Sequence, residues 1–378
     1  MDRKNFKDKK NIKTYSIYKN SKIKSKKSFR FFKMVLLFLV IAAISYLSSM
    51  FVYSFINRKH CESVVIDESY KEDVKNNSNN KQQIREHSPK ILNEYIKAVE
   101  APKNLMFNGN VFRNFLKGVK RNNHNAVVVT LKDEAGNILY DTDVSLANKW
   151  KVVSKEGVVD LKKVFEIIEE EGLIPIAKIN VFKDQRAPSP ERENTFVFED
   201  YEDAIYKFKD KETGNYLKYL DPESENTKKY IFDIIKEIKS CGFSYILLQN
   251  VSYPDCEFSK NMKGSDSIKR SVVLKRFFRE LKKLKAHFIV GYDWDVLKNP
   301  KEDLRFLCDV KDLGIDINMP IVYRYENFEE FNEEILKLSK SKKGIVVIPK
   351  IEFKRNLNKV LGKLKEEKIE SYVILQSS

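Results

Sequence analysis

The chain has 378 residues, 42% apolar and 33% charged, which allows one large globular domain with appendages and excludes a wholly disordered or fibrous chain. Its net charge is +16, but Met1 to Lys33 alone hold thirteen Lys or Arg against two Asp, so the positive charge belongs to an N-terminal arm more than to the folded part. Four cysteines and four histidines are scattered without paired spacing, which excludes a disulfide framework and a zinc-type ligand set and implies neither a metal nor a cofactor.

Residues 34–56 contain no charged side chain. At 1.5 Å per residue such a helix crosses a hydrocarbon core of ~30 Å, and the basic lead ahead of it is long for a cleaved signal peptide. The span therefore reads as a single-pass membrane anchor. The imbalance of Lys and Arg across it places the N-terminus in the cytoplasm and the rest outside. The arm's aromatics, Phe6, Tyr15, Tyr18, Phe29, Phe31 and Phe32, belong to no recognisable nucleic-acid fold, so it serves topology and anionic lipid head groups rather than nucleic acid. Residues 57–87 are polar and Asn-rich, a stalk, and residues 88–378 form the globular domain.

From Ile91 onward, Ile91, Leu92, Tyr95, Ile96 and Val99 fall on one helical face. Strands and helices then alternate. The expected strands are Leu105–Phe107, Ala126–Leu131, Leu173–Val181, the stretch Gly242–Pro254, Phe288–Gly291, Ile315–Tyr323, Ile345–Ile348 and Tyr372–Leu375. Asp160 and Asp221-Pro222 read as helix starts, and Asn299-Pro300 to Gly314 as a further helix. The basic residues Lys275, Arg276, Arg279, Lys282 and Lys283 read as the solvated face of the helix after the fourth strand. Eight strands with seven intervening helices is the count of a (β/α)8 TIM barrel lacking its eighth helix, and the helix at Ile91–Val99 is placed to cover that gap. A doubly wound open sheet is the alternative, but Phe107-Asn108-Gly109-Asn110 is not a Gly-rich phosphate turn.

The motifs at the strand ends resemble the putative glycosyl hydrolase domain family of membrane-linked or secreted bacterial barrels. Asn125 to Val129 with Lys132-Asp133-Glu134-Ala135-Gly136 resemble its second strand and the turn after it. Val181-Phe182-Lys183-Asp184 resembles its third strand end, and Tyr219-Leu220-Asp221-Pro222 its aromatic-x-Asp-Pro. Gly242-Phe243, Ile246, Val251 and Pro254 frame its fourth strand, while Met319 to Tyr323 echo its sixth. The fourth strand departs from the family: Gln249 and Ser252 stand where it carries an Asp and an Arg. The resemblance implies a glycoside-hydrolase-like fold and a carbohydrate ligand, not by itself a reaction.

Glycoside hydrolysis needs two carboxyl groups at the strand C-termini. Asp184, Asp293 and Asp295 are the catalytic candidates. Asp133, Lys183, Gln249, Trp294 and Tyr323 are the substrate-binding candidates. Aromatics of the long third loop, from Phe196 to Tyr219, suit sugar rings or anchor the loop, and a hairpin around Lys211 to Asn215 is expected. Two functions follow: a membrane-anchored glycosidase acting on a cell-envelope or extracellular polysaccharide such as peptidoglycan, or a glycan-binding or scaffold barrel that has lost catalysis with Gln249.

Overall fold

The structure is a computed structural model that describes residues 95–210, 213–255, 262–263, 269–341, 346–351 and 356–374. The segments expected as arm, membrane span and stalk, the beginning of the Ile91 segment, Cys61, Cys256 and Glu352 lie outside the described residues. No described helix is long and apolar enough to cross a membrane.

The strands are β1 (Lys97–Glu100), β2 (Ala126–Lys132), β3 (Ile174–Asn180), the hairpin β4 (Phe208–Lys209) and β5 (Tyr216–Leu217), then β6 (Tyr245–Gln249), β7 (His287–Asp293), β8 (Ile317–Val322), β9 (Val346–Val347), β10 (Lys350–Ile351) and β11 (Tyr372–Ile374). The helices are α1 (Gly109–Arg121), α2 (Ser145–Lys149), α3 (Leu161–Glu170), α4 (Glu225–Ser240), α5 (Lys269–Lys282), α6 (Phe328–Ser341) and α7 (Leu357–Glu366). All barrel pairings are parallel: β1–β2–β3–β6–β7–β8, then β9 and β10 on β8, then β11 on β10, and β11 back onto β1. The seventh strand is split into β9 and β10 around Ile348-Pro349, so eight staves close the ring. No helix follows β11 among the described residues.

The period of two divides the residues between two cores. Ile96, Ala98, Val128, Ile176, Leu247, Ile289 and Met319 fill the barrel interior. Their neighbours Val99, Val127, Ala177, Ile246, Leu248 and Val290 face the helices, against Leu116, Ile168, Ile234, Phe277, Phe331 and Val360. Asp160 caps α3 by accepting from Lys163 N at 3.0 Å, as its position predicts. The hairpin of the third loop forms around the expected turn, with Phe208 opposite Leu217.

Four expectations are corrected. Lys97–Glu100 is a strand, not part of a helix, and it closes the barrel instead of capping it. The apolar positions of Ile91 to Val99 match helical spacing, but Ile96, Ala98 and Glu100 alternate inward, and pairing on both edges overrides local propensity. Leu105 to Phe107, expected as β1, lies in a 3-10 helix that buries only Met106. The stretch after Asn299 holds turns and a 3-10 helix, Val310–Leu313, with Leu307 at φ +51°, so Cys308 is a buried thiol outside any helix. Helix α4 starts one turn later than Asp221-Pro222 suggests, capped by Ser224.

Candidate functional site at the barrel mouth

The C-terminal ends of the strands present one polar layer inward. Glu100 from β1, Thr130 from β2, Lys178 from β3, Gln249 from β6 and Lys350 from β10 are all buried there. Glu100 is paired with Lys178 and lies 3.1 Å from Lys350 Nζ, and Thr130 Oγ1 donates to it at 3.2 Å. Burial alone would raise the Glu100 carboxyl, but Lys350 and Lys178 outweigh it and hold the pKa below the usual range. Burial lowers Lys178, with the Glu100 charge opposing. The two lysines thus hold Glu100 as a carboxylate in the floor of the mouth, unsuited to donating a proton.

Gln249 sits beside it at the end of β6. Its Cγ occupies the space above Gly291, where an added Cβ would lie 3.2 Å away and only 2.7 Å from Met319 Cε. Its Oε1 is buried without a hydrogen-bond partner among the described residues. The amide keeps the reach and the hydrogen bonding of a carboxylate without its charge.

Above the floor is a second, open group. Asp293 ends β7 with its side chain 44% exposed. Tyr323, just past β8, donates its phenol to Asp293 Oδ1 at 2.7 Å, and Arg305 Nη1 donates to Oδ2 at 2.9 Å. Arg305 also reaches Asp295 Oδ1 at 2.8 Å and is forked onto Asp303, whose Oδ2 accepts from Nη2 at 2.6 Å. Burial works against the Arg305 charge, yet Asp303, Asp295 and Asp293 together raise its pKa. The backbone of Arg305 is fixed by Tyr253 N, which donates to its carbonyl at 3.1 Å. Asp293 thus has donors on both oxygens, the setting of a carboxylate that accepts or attacks rather than of an acid holding a proton.

Other sequence candidates lie elsewhere. Asp184 is fully buried: Oδ2 is 2.8 Å from Lys132 Nζ, and Oδ1 accepts from Arg186 N and Ala187 N at 2.8 Å. Gly136 sits on it at φ +87°, where a Cβ would come within 2.0 Å of Oδ1. Lys132, Gly136 and Asp184 therefore form one structural lock between the second and third loops, turned from solvent. Asp133 ties its own turn through Asn137 N at 2.9 Å and pairs with Lys103 at 3.3 Å, and Lys183 pairs with Glu134 at 3.6 Å. Trp294 is buried against Phe331 of α6 in the helix layer, away from the mouth, because a 3-10 helix follows Asp293. That same turn ends the strand alternation, and Asp293 and Asp295 meet through Arg305. Sequence reasoning missed Glu100, Lys178, Lys350 and Arg305; a lysine at an inward position of the apolar run Ile174 to Ile179 was the available signal. Among the described residues, no three His, Cys, Asp or Glu stand close enough to hold a metal.

The family described as "Putative glycosyl hydrolase domain" matches residues 98–290, just over half the chain and from within β1 onward. The chain belongs to this family. No curated protein matches the sequence. The glycoside hydrolase domain of PgaB (BpsB) from Bordetella bronchiseptica is similar in structure, with a TM-score of 0.55 at 10% identity over 74% of this chain and 93% of that one. A hypothetical protein from Ruminiclostridium thermocellum is also similar, with a TM-score of 0.43 at 16% identity, covering 51% of this chain and 95% of that one. At these identities the likeness to the Bordetella domain establishes a shared fold. Within the glycosyl hydrolase domain family, then, this member keeps the barrel and presents Gln249, Asp293 and Tyr323 at its mouth.

Proposed function

We propose that this chain is a membrane-anchored, extracytoplasmic glycan-binding barrel that holds a cell-envelope polysaccharide across its mouth. The observation that carries the reading is the placement of aromatic side chains. Among the described residues, the exposed ones are Tyr95, Phe107, Tyr201, Tyr216 and Tyr323. All but Tyr95 follow a barrel strand, so four of the five stand on the face where the strand C-termini open. Aromatic faces on that rim offer flat apolar surface to sugar rings, while Asp293, Tyr323 and Arg305 offer fixed hydrogen bonds.

Asp293 favours a second reading, hydrolysis, because it is an accessible carboxylate held by two donors. A glycosidase also needs a partner carboxyl that keeps its proton. Among the described residues, Glu100 is held charged by two lysines, Asp184 is closed off, Asp295 is tied to the same Arg305 as Asp293, and Gln249 cannot ionise, so binding without turnover is the better supported of the two.

The test uses the full chain in detergent with peptidoglycan and soluble polysaccharides, measuring retention and release of reducing ends. Retention without product is expected, and Asp293→Asn or Tyr323→Phe should weaken it roughly tenfold, as loss of a charge-assisted hydrogen bond does. Turnover that disappears in Asp293→Asn would overturn the binding-only reading.

A further inference from the structure

Helix α5 carries cations that the barrel does not use. Lys275, Arg279, Lys282 and Lys283 are exposed on its outer side, the last in the turn that ends it. Lys275, Arg279 and Lys283 are spaced four apart, so they form one line with charges about 6 Å apart. Some cations of other helices are paired: Lys229 and Lys236 share Asp233 in α4, Lys337 meets Glu334 in α6, and Arg113 of α1 meets Glu170 of α3. In α5, Arg276 reaches Glu223 at 3.5 Å and Lys282 reaches Asp316 at 3.1 Å. Lys275, Arg279 and Lys283 make no side-chain ion pair or hydrogen bond among the described residues. Glu280, the one acid of this helix, is half-buried.

Like charges at this spacing repel and weaken a helix. Attraction of cations to a helix C-terminus accounts for Arg279 and Lys282 in the last turn, but not for Lys275 in the middle. The row adds nothing to fold stability and leaves three exposed cations open to a ligand. Helix α5 follows β6, so it starts on the mouth side of the barrel and the cations descend the outer wall from there.

We propose that this row binds an acidic polysaccharide, a polymer with a carboxylate on each repeat, continuing the glycan track that begins at the mouth. The inference rests on the mouth being a glycan site. Regular cations match regularly spaced carboxylates, and weak, rim-type charge contacts guide a long polymer without fixing it. Nucleic acid is the other regular polyanion, but single strands are held by stacking on aromatic side chains, and the exposed apolar residue of this helix is Val272.

The experiment measures binding of the full chain in detergent to polygalacturonate, with neutral dextran and a single-stranded oligonucleotide as competitors. Two variants are compared with the natural protein: K275Q/R279Q/K283Q and K275E/R279E/K283E, with melting temperatures as a folding control. The basic arm is present in every sample, so hydrogen exchange over residues 270–285 localises the contact. Expected are an affinity loss of about tenfold in the Gln variant and more in the Glu variant, steep salt dependence, and protection of that segment by polygalacturonate but not dextran. Unchanged affinity in both folded variants, no protection of the segment, or displacement by the oligonucleotide in preference to polygalacturonate would overturn the inference. Asp293→Asn is run alongside and reports on the mouth alone, so the two readings fail separately.

Discussion

Glu100 and Asp293 both project from strand ends at the mouth, and their surroundings give them opposite work. Glu100 is buried between Lys178 and Lys350, whereas Asp293 is nearly half exposed between Tyr323 and Arg305. Removing one partner from a buried ion group strands the others, at about 3–5 kcal/mol; loosening an exposed one costs under about 1 kcal/mol. Glu100→Gln should therefore lower stability in urea denaturation by about 3–5 kcal/mol, while Asp293→Asn melts like the natural protein and loses glycan binding. Equal stability of the two variants would contradict the assignment of floor and site. Asp221 gives a pH signature of its own. Burial pushes its carboxyl up to about 6 from an unfolded value of 3.8, with the Glu223 amide opposing. Because the folded state holds this proton more tightly, its contribution is full below about pH 4 and is lost as pH rises through about 6. At ~1.4 kcal/mol for each pH unit between the two values, the loss is at most about 3 kcal/mol. Thermal melts from pH 4 to 7 should show that decline, and Asp221→Asn should flatten it; an unchanged slope would show that the decline comes from other groups. Of these residues, Asp293 and Tyr323 were legible from their position at strand ends, but Arg305 was not, because only the folded loop brings it from twelve residues away onto Asp293.

At the scale of elements, β1 carries the most consequence for its size. Its four residues pair with β11 on one edge and β2 on the other, so it is the stave that closes the ring. A chain beginning at Asn104 lacks it and exposes two parallel edges, each a template for pairing with another chain. Such a chain should elute as aggregate in size-exclusion chromatography, whereas one beginning at Ser88 runs as a discrete species. A well-behaved Asn104 chain would mean the ring can close without this strand. The error over this segment has a physical source. Four residues are too short for alternation to stand out, and the charged Glu100 and Lys97 hide a strand whose inward charge is met only by Lys178 and Lys350, far away in sequence. The longer strands β2, β3, β6, β7 and β8 were legible because they are apolar on both faces, and the helices between them because of their buried stripes. The stretch after Asn299 misled because its apolar residues pack through turns, with backbone such as Leu307 in the left-handed region that no pattern announces.

For the whole molecule, the distribution of charge along the sequence predicts its topology. The arm of residues 1–33 holds eleven of the sixteen net positive charges, and the uncharged residues 34–56 follow at once. In helical form those 23 residues span about 35 Å, more than the ~30 Å of a hydrocarbon core. Beyond them Arg58 and Lys59 are offset by Glu62, Asp67 and Glu68, so the cation excess lies on the N-terminal side. By the rule that Lys and Arg near a span stay in the cytoplasm, the expected topology puts the barrel outside, where polysaccharide is. Cys61 stands five residues past the span and offers a direct measurement. A variant with Cys241, Cys256 and Cys308 changed to serine should be labelled at Cys61 by a membrane-impermeant maleimide in intact cells. Replacing the arm's Lys and Arg with Gln and adding lysines after Ile56 should reduce that labelling and expose Cys61 only after permeabilisation. Labelling of the natural-arm variant only after permeabilisation would put the barrel in the cytoplasm and remove its access to envelope glycans.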